Sequence, residues 1–452
     1  MIFLEYKKGD YMDWTEKLKS KTLDKTAVVG IVGLGYVGLP LAMAFSKNFH
    51  VVGYNINPDK VELLKQKKSY IEDVKDEEIN LEMFSPTANP DDLKQCDYII
   101  IAVPTPLRKD KSPDLSDVKT AGEEVGAILQ KEQFVILKST TYPGTTEEVL
   151  IPILEEKSGL KAIEDFGIAY SPERVDPGNI DYNMNNTPNV VGGLTPEFTD
   201  IGAMLCENVS TEVVKVTDCK TAEGVKMIEN IFRNVNIALV NELALIFEKM
   251  DIDIWESIEA AKTKPYGYMA FYPGPGVGGH CIPLDPYYMA YRAKHFGFIP
   301  RFIETSGEIN DYMPIHTVNL ANKGLNSIGK NLWGSNILIL GLAYKGGISD
   351  TRESPAASVI DELMERGAKL RVFDPRAVSI NTQYGEFKSR EKMDEEIKWA
   401  DCIIILTDHE EFKENKSILD ILGSKDKVII DTRNTLQITN GSKRDFDNYI
   451  KL

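Results

Sequence analysis

The order of apolar and polar positions divides the chain into segments of different character. From residue 27 onward, short apolar runs alternate with stretches of helical spacing. Such alternation favours a parallel, doubly wound sheet, so we expect a Rossmann-like α/β domain over residues 26–217. Residues 1–25 are rich in lysine and lack a clear apolar period, and they are interpreted as an extension that precedes this domain. The predicted strands of the domain are 27–32, 51–54, 98–103, 134–137 and 167–170.

A different pattern begins near residue 221, where apolar residues recur every three or four positions as far as residue 249. This spacing predicts one long helix. At ~1.5 Å per residue the helix would span about 40 Å, enough to bridge two domains and to present a face to another subunit. We therefore expect a central helical, catalytic and dimerisation domain over residues 218–325, in a homodimer or a higher homo-oligomer. The recurring apolar residues are Val225, Ile228, Phe232, Val235, Leu239 and Ile246.

The alternation of strands and helices returns after Asn331 and predicts a second α/β domain over residues 326–452. Its predicted strands are 337–342, 370–373, 402–406 and 428–431, and a helix is predicted over 355–366. The expected fold class is therefore α/β, with two Rossmann-like, doubly wound parallel-sheet domains joined by a central helical domain that contains one long helix.

Composition and charge exclude several functions. The net charge of −17 would repel nucleic acid at long range, and no basic stripe offsets it. Neither a signal peptide nor a membrane span is predicted, because charged residues interrupt every apolar stretch, so a cytoplasmic location is expected. The five cysteines lie far apart, which fits neither a disulfide framework nor a CxxC zinc site, and no metal is expected.

A glycine-rich turn follows the first predicted strand and opens a helix. Gly33, Gly35 and Gly38 have the spacing that lets backbone N–H groups meet a pyrophosphate, which predicts a dinucleotide cofactor. The next strand ends at Asn55, where an NAD-binding fold usually offers an acid to the ribose. An amide lacks the charge that repels a 2′-phosphate, so we expect NAD to be preferred over NADP by a reduced margin.

A second glycine-rich segment, residues 274–279, leads directly to Cys281. Glycines permit close approach of a ligand and exposure of the thiol, which indicates a nucleophile that attacks an aldehyde; a buried structural cysteine is the alternative. Asp285 could orient a hydrolytic water or cap the helix that begins near Pro286. Adjacent side chains in an extended loop point to opposite sides, so His280 is expected to point away from Cys281. This favours substrate contact or packing as the role of His280.

Lys226 and Asn230 lie four residues apart on the long predicted helix and therefore share one face. A cation and an amide at this spacing could polarise a sugar oxygen and stabilise an oxyanion. The alternative is an ordinary solvated lysine.

Together these motifs resemble the UDP-glucose/GDP-mannose dehydrogenase family from about Thr26 to Asn434. The supporting segments are 33–38, 103–106, 138–140, 171–174, 226–230, the Cys281 loop, 341–345 and 350–355.

The resemblance implies that Cys281 is the nucleophile, that Lys226 and Asn230 stabilise the oxyanion, and that Asp285 assists the water. It also implies that Thr140 and Glu173 bracket the reacting centre and that Lys345 and Arg352 lie near the diphosphate. Cofactor contacts are expected from Gly33, Gly35, Tyr36, Val37, Gly38, Asn55, Lys60, Pro104, Thr105 and Thr140. Substrate contacts are expected from Glu173, Arg174, Lys226, Asn230, Gly278, His280, Lys345 and Arg352.

The sequence around Cys281 is similar to the branch of the family that acts on UDP-N-acetylhexosamines. The resemblance implies an NAD-dependent 6-dehydrogenase, with UDP-N-acetylglucosamine favoured and UDP-N-acetylmannosamine or UDP-glucose as alternatives. Two other classes remain open at this point: a two-electron dehydrogenase of the β-hydroxyacid type, and a non-catalytic sensor of nucleotide sugars.

Overall fold

The computed structural model describes residues 12–71, 73–108, 110–174, 181–279, 282–438 and 446–452. The chain divides into two compact units, Met1–Glu229 with Tyr287–Gly297, and Asn230–Pro286 with Phe298–Leu452. The chain crosses between the units three times: the crossings at 229/230 and 286/287 fall inside helices, and the crossing at 297/298 follows a helix that ends at His295.

Unit one is built on an eight-stranded sheet with the strand order β3-β2-β1-β4-β5-β6-β7-β8. All neighbouring strands are parallel except β6 and β7, which are antiparallel. The strands are β1 Val28–Val32, β2 His50–Tyr54, β3 Phe84–Thr87, β4 Tyr98–Ile101, β5 Phe134–Leu137, β6 Gly167–Tyr170, β7 Asn189–Gly193 and β8 Val213–Lys215.

Among the described residues, six α-helices belong wholly to unit one and cover the sheet. Strands β4, β5 and β6 are buried along their whole length, as expected for parallel strands with helices on both faces. The helices are α1 Met12–Leu23, α2 Gly38–Phe45, α3 Pro58–Lys65, α4 Ser116–Ile128, α5 Ile151–Ser158 and α6 Pro196–Cys206.

Helix α1 corrects the expectation that residues 1–25 only precede the first domain. Trp14 and Leu18 are buried in the core of unit one. The Trp14 ring lies 5.8 Å from that of Phe198, and the hydroxyls of Thr22 and Tyr98 are 2.7 Å apart. With only one short apolar face, this helix offers a weak sequence pattern, yet it is part of the unit.

Unit two contains a five-stranded, fully parallel sheet with the strand order β10-β9-β13-β14-β15, and a separate hairpin of β11 and β12. The strands are β9 Asn336–Leu340, β10 Lys369–Phe373, β11 Ser379–Thr382, β12 Gly385–Lys388, β13 Cys402–Ile405, β14 Val428–Asp431 and β15 Tyr449–Lys451. The remaining helices of the chain are α7 Cys219–Met250, α8 Ile254–Lys262, α9 Asp285–His295, α10 Arg301–Ser327, α11 Pro355–Glu365, α12 Met393–Trp399, α13 Glu410–Lys413 and α14 Lys416–Leu419.

The predicted fold class is confirmed, with local corrections. The first sheet is mixed rather than purely parallel, and the predicted strand 98–103 ends at Ile101. Strands β3, β7, β8, β11, β12 and β15 were not predicted, because they are short or interrupted by glycine and proline. Among the described residues, every helix is too short or too polar to cross a membrane.

Helix α7 buries a row of polar residues and exposes a row of apolar ones, although Met227, Val240 and Ala244 are also buried. The six apolar residues that predicted the helix are all exposed or half-buried, and Ile228 and Leu239 are 69% and 53% exposed. At about 100° of rotation per residue, a row of polar residues lies on the opposite side, within an arc of about 80°. This row, which we call the polar stripe, is buried and consists of Glu223, Lys226, Asn230, Asn234 and Asn241.

The position of α1 generates a stability prediction. Trp14→Ala should lower the free energy of unfolding by about 3 kcal/mol or more, because it removes a large buried ring and leaves a cavity. Urea denaturation followed by far-UV circular dichroism measures the change. The exposed neighbour Lys17 provides the control, and an unchanged midpoint for Trp14→Ala would show that α1 does not stabilise the unit.

Candidate active site

The first glycine-rich turn of unit one has the geometry of a pyrophosphate cradle. Gly33 has a φ of +91°, and a Cβ there would lie 2.6 Å from the Ala102 carbonyl oxygen. A Cβ on Gly38 would overlap the Gly33 carbonyl oxygen, so this glycine allows α2 to begin against the strand. At Gly35 a Cβ would meet no described atom within 4 Å, so the backbone there is open to a ligand. The turn therefore fits the pyrophosphate of NAD.

Asn55 lies at the end of β2 and is mostly buried, at 9% exposure. Its side-chain oxygen accepts a hydrogen bond of 2.9 Å from the backbone N–H of Asn57, which fixes the amide at the strand end. The ammonium of Lys60 lies 5.1 Å from the centre of the Tyr70 ring, and the Tyr70 hydroxyl donates to the Leu34 carbonyl within the glycine turn. Lys60 is thus linked to the turn through Tyr70.

The loops after β4 and β5 are fastened to each other by Ser139. Its hydroxyl accepts from the Val103 N–H at 2.9 Å and donates to the Val103 carbonyl at 2.8 Å. The Thr105 carbonyl accepts a hydrogen bond of 2.7 Å from the buried Tyr288, on α9. Pro104 is exposed and Thr140 is half-buried at this edge of the sheet. Tyr36 and Val37, in the glycine turn, lie at the carboxyl edge of the same sheet.

Glu173 is held by two buried lysines. Lys226 Nζ donates to the Glu173 backbone carbonyl at 2.6 Å, and Lys138 Nζ lies 3.5 Å from the carboxylate. Lys138 and Lys226 are only 5% and 6% exposed, so the solvated-lysine alternative for Lys226 is excluded. Among the described residues, two lysine side chains and one carboxylate therefore lie close together in a buried environment. Sequence reasoning named Lys138 only as part of a motif, although its place at the end of β5 was a usable signal.

Two arginines expected near the substrate have partners within the protein. Arg174 donates to the Pro188 carbonyl at 2.6 Å and pairs with Glu229 at 2.6 Å. Arg352 donates to both carboxylate oxygens of Asp350, at 2.5 to 3.1 Å. Each guanidinium is therefore oriented by a fixed carboxylate.

Glu223, which sequence reasoning missed, anchors the polar stripe to the loop after β5. Its carboxylate accepts from the backbone N–H groups of Gly144 and Thr146, at 2.5 and 2.8 Å, and from the Thr146 hydroxyl at 2.7 Å. Burial raises the pKa of Glu223 to about 7, although these hydrogen bonds favour the ionised form. An acid three residues before Lys226 was the available signal.

In unit two, Asn230 and Asp285 form a buried pair. The Asn230 amide donates to the Asp285 carboxylate at 2.5 Å, and the two residues are 4% and 3% exposed. The structure thus gives the Asp285 side chain a partner other than the backbone of its own helix. The Asn230 amide therefore contacts a carboxylate that follows Cys281 by four residues in the sequence.

The second glycine segment packs tightly within unit two. A Cβ on Gly278 would lie 2.6 Å from the Tyr344 Cβ and 2.8 Å from Pro355 Cδ, so only glycine fits there. Gly276 and Gly279 have φ values of +135° and +85°. Tyr344 immediately precedes Lys345, which places the segment against the motif that carries this lysine. His280 and Cys281, to which the segment leads, lie outside the described residues.

The four other cysteines are buried: Cys96, Cys206, Cys219 and Cys402. Burial raises the pKa of each of these thiols, to about 12 for Cys96. A thiol that stays protonated is a poor nucleophile. None of these four residues is suited to covalent catalysis.

Arg433 is a further cation that sequence reasoning missed. It follows β14, and Lys345 follows β9, so both lie beyond the carboxyl ends of strands in one parallel sheet, where α/β proteins bind ligands. A Cβ on Gly274 would lie 2.6 Å from the Arg433 guanidinium. Burial lowers the pKa of Arg433, whose guanidinium nevertheless remains charged. Its position two residues after a predicted strand was the available signal.

These features are those of a dinucleotide-dependent dehydrogenase. They comprise a nucleotide-binding turn, a cluster of buried lysines, and a second parallel sheet with cations at its carboxyl edge. Comparison with known proteins specifies the family. Residues 27–210 match the NAD binding domain of the UDP-glucose/GDP-mannose dehydrogenase family, residues 220–312 its central domain, and residues 338–438 its UDP binding domain. The chain belongs to the UDP-glucose/GDP-mannose dehydrogenase family, and it is an NAD-dependent oxidoreductase of nucleotide sugars.

Relatives with named substrates resemble the chain over nearly its whole length. The UDP-N-acetyl-D-glucosamine 6-dehydrogenase of Pseudomonas aeruginosa is 38% identical over 413 residues, which cover 90% of this chain and 97% of the relative. The UDP-N-acetyl-D-mannosamine dehydrogenase of Methanocaldococcus jannaschii is 34% identical over 434 residues, 93% of this chain and 95% of the relative. The solved structure of the UDP-D-ManNAc dehydrogenase from Pyrococcus horikoshii is similar with a TM-score of 0.84 and 32% identity, covering 94% of this chain and 98% of that one.

The geometry at Asn55 generates a prediction about cofactor choice. Asn55→Asp should raise the preference for NAD over NADP by about tenfold, because the carboxylate adds the missing charge and keeps the acceptor used by Asn57. The ratio of kcat/KM for the two cofactors measures this. Asn48→Asp, an exposed position in the same unit, is the matched control; an unchanged ratio for Asn55→Asp would mean that this side chain does not face the ribose.

Proposed function

We propose that the enzyme oxidises the C6 alcohol of a UDP-N-acetylhexosamine to the carboxylate, with Cys281 as a covalent nucleophile. Loss of a hydride from C6 and of the hydroxyl proton gives an aldehyde. The thiolate adds to this carbon as a thiohemiacetal, loss of a second hydride gives a thioester, and water releases the uronate and the thiolate. NAD held at the turn of Gly33, Gly35 and Gly38 would supply the hydride acceptor for each oxidation, so two NADH would form per sugar.

The packing of Gly278 against Tyr344 is the observation that carries this proposal. It places the glycine-rich segment that leads to Cys281 against the part of the UDP binding domain that contains Lys345. A two-electron dehydrogenase has no use for a segment that leads to a cysteine and packs against a nucleotide-binding motif. The burial of the four other cysteines also supports Cys281 as the reactive thiol.

The polar groups of unit one suit stabilisation of developing negative charge. Lys226 and Lys138 are desolvated and both contact Glu173, Lys226 at its backbone carbonyl and Lys138 at its carboxylate, so two ammonium groups are available to an alkoxide or a thiohemiacetal oxyanion. Thr140, at the edge of the same sheet, is assigned a supporting role between cofactor and sugar. Glu173 orients Lys226 through its backbone carbonyl.

In unit two, Asp285 is assigned to the water that hydrolyses the thioester. Its carboxylate is fixed by the Asn230 amide, so its orientation is set before a water arrives. The Asn230 amide carries a second N–H, which is assigned to the oxyanion. Lys345 and Arg433 are assigned to the diphosphate, with Arg352 near it.

UDP-N-acetylglucosamine is the proposed sugar, and UDP-N-acetylmannosamine and UDP-glucose are the alternatives. The relatives with 38% and 34% identity act on the gluco and manno sugars respectively. These sugars differ at one stereocentre, so a rearranged hydrogen bond would be enough to change the preference.

We also propose a homodimer that uses the apolar face of α7. Phe232, Leu239 and Ile246 are spaced seven residues apart, as in the seam between two packed helices, and are 43 to 53% exposed. An exposed apolar stripe of this length marks an interaction surface.

The chemical proposal is tested with a panel of UDP-sugars. We expect two NADH per sugar, measured by absorbance, with the uronate identified by mass spectrometry. Cys281→Ser should lose uronate formation by at least about 100-fold, because an alcohol is a far weaker nucleophile than a thiolate. Cys96→Ser, a buried position, is the matched control. One NADH with a released carbonyl product, or unchanged turnover of Cys281→Ser, would overturn the covalent mechanism; a protein that binds UDP-sugars without turnover would be a sensor.

The oligomer proposal has a separate test. Leu239→Glu places a charge in the middle of the apolar face, so it should convert a dimer into monomers in light scattering coupled to size-exclusion chromatography. Lys398→Glu, an exposed residue of α12, is the control. A monomeric wild-type protein, or a dimer that survives Leu239→Glu, would contradict the assignment of this face.

A further inference from the structure

The segment from Gly274 to Asp285 is held by three asparagines of one helix. Asn230, Asn234 and Asn241 occupy the buried polar stripe of α7 within an arc of about 40°. Asn230 holds Asp285, as described above. Asn234 and Asn241 have no role in the chemistry proposed so far, yet each is at most 4% exposed.

Asn234 contacts the segment directly after Cys281. Its side-chain N–H donates to the Ile282 carbonyl at 3.1 Å, and its side-chain oxygen accepts from the Ser306 hydroxyl at 2.8 Å. The Ile282 carbonyl can only accept, so the orientation of the amide is determined. Ser306, on α10, thus holds the side-chain oxygen of Asn234, and the amide nitrogen is left to face Ile282.

Asn241 contacts the other end of the segment. Its side-chain oxygen accepts from the Gly274 N–H at 3.0 Å, and its N–H donates to Asn310 at 2.9 Å. The Asn310 amide in turn donates to the Asn234 backbone carbonyl at 3.4 Å. The two contacts are therefore parts of one buried network in which each amide is oriented by a partner on α10.

We propose that Asn234 and Asn241 are positioning residues that fix the chain on the two sides of Cys281, at Ile282 and at Gly274. A segment with four glycines loses much conformational entropy on ordering, so its position requires specific contacts at its ends. Buried amides with all partners satisfied provide such contacts. This inference rests on the proposed function for the role of the thiol, but the contacts at Gly274 and Ile282 are independent of it.

The direction of the hydrogen bonds identifies a variant that removes one contact of Asn234 and keeps the other. Asn234→Asp keeps the size of the side chain and the acceptor for Ser306, but it turns an N–H toward Ile282 into an oxygen. Two acceptors would then face each other in a buried environment, which should displace the peptide next to Cys281. Asn236→Asp makes the same change on the same helix at a half-buried position whose amide donates to the Phe232 carbonyl of its own helix.

The test combines kinetics with thiol reactivity in the full-length protein. We expect Asn234→Asp to lower kcat for uronate formation by about tenfold to 100-fold, since small displacements at a reacting centre have effects of this size. The KM for NAD should stay within about twofold of wild type, because the cofactor turn is untouched. The rate of alkylation of Cys281 by iodoacetamide, followed by peptide mass spectrometry without cofactor or sugar, should change, while Asn236→Asp should match wild type in all three measurements.

The outcomes separate this inference from the proposed function. Wild-type kcat and alkylation rate in Asn234→Asp would overturn the positioning role, as would an equal loss in Asn236→Asp. If Asn234→Asp does not fold, as judged by circular dichroism, Ser306→Ala leaves the amide in place without its partner and should show the same selective loss of kcat to a smaller degree; no loss would overturn the inference. A Cys281→Ser variant that still forms uronate would refute the proposed function, whereas the alkylation result would still test the contacts.

Discussion

The burial of the polar face of α7 is the constraint on which the site depends. A helix in a globular protein normally buries its apolar stripe. Here the buried row contains a carboxylate, an ammonium and three amides, and such groups are tolerated inside only when each has a partner. Those partners are the loop after β5 for Glu223, the Glu173 backbone for Lys226, and the Gly274–Asp285 segment for the asparagines. The need to satisfy one helix face therefore fixes groups in each unit.

The glycines complement this arrangement because they let backbone approach where a side chain would not fit. Gly33 and Gly38 bring strand, turn and helix together, and Gly35 leaves room for a phosphate. Gly278 does the same between the cysteine segment and Tyr344. The polar stripe orients charged and amide groups, and the glycines leave space where a side chain would clash. In the proposed function, an acidic protein binds an acidic substrate through a few fixed cations rather than through its net charge.

Sequence patterns predicted the central strands best. The bounds of β5, β6 and β14 were predicted to the residue. A short, continuous apolar run between polar residues is typical of a buried parallel strand. Helix α1 and edge strands such as β3 and β15 were missed, since half-buried elements have weak patterns. Helix α7 was predicted from residues that turned out to face outward, so the period was right and the buried face was not. Lys226 and Asn230 were found by spacing, whereas Asn234 and Asn241 were missed because an asparagine in a helix has no distinctive pattern until its partners are known.

The central claim is that the sugar becomes covalently attached to the protein before hydrolysis. It is tested most directly with Asp285→Asn, which keeps an oxygen for the Asn230 amide but removes the carboxylate that we propose assists the water. Rapid acid quench of this variant with NAD and the UDP-sugar, followed by peptide mass spectrometry, should show the Cys281 peptide heavier by the UDP-uronic acid less one water, with two NADH formed per site. Uronate formed at the wild-type rate, or the aldehyde alone with an unmodified Cys281 peptide, would contradict the account.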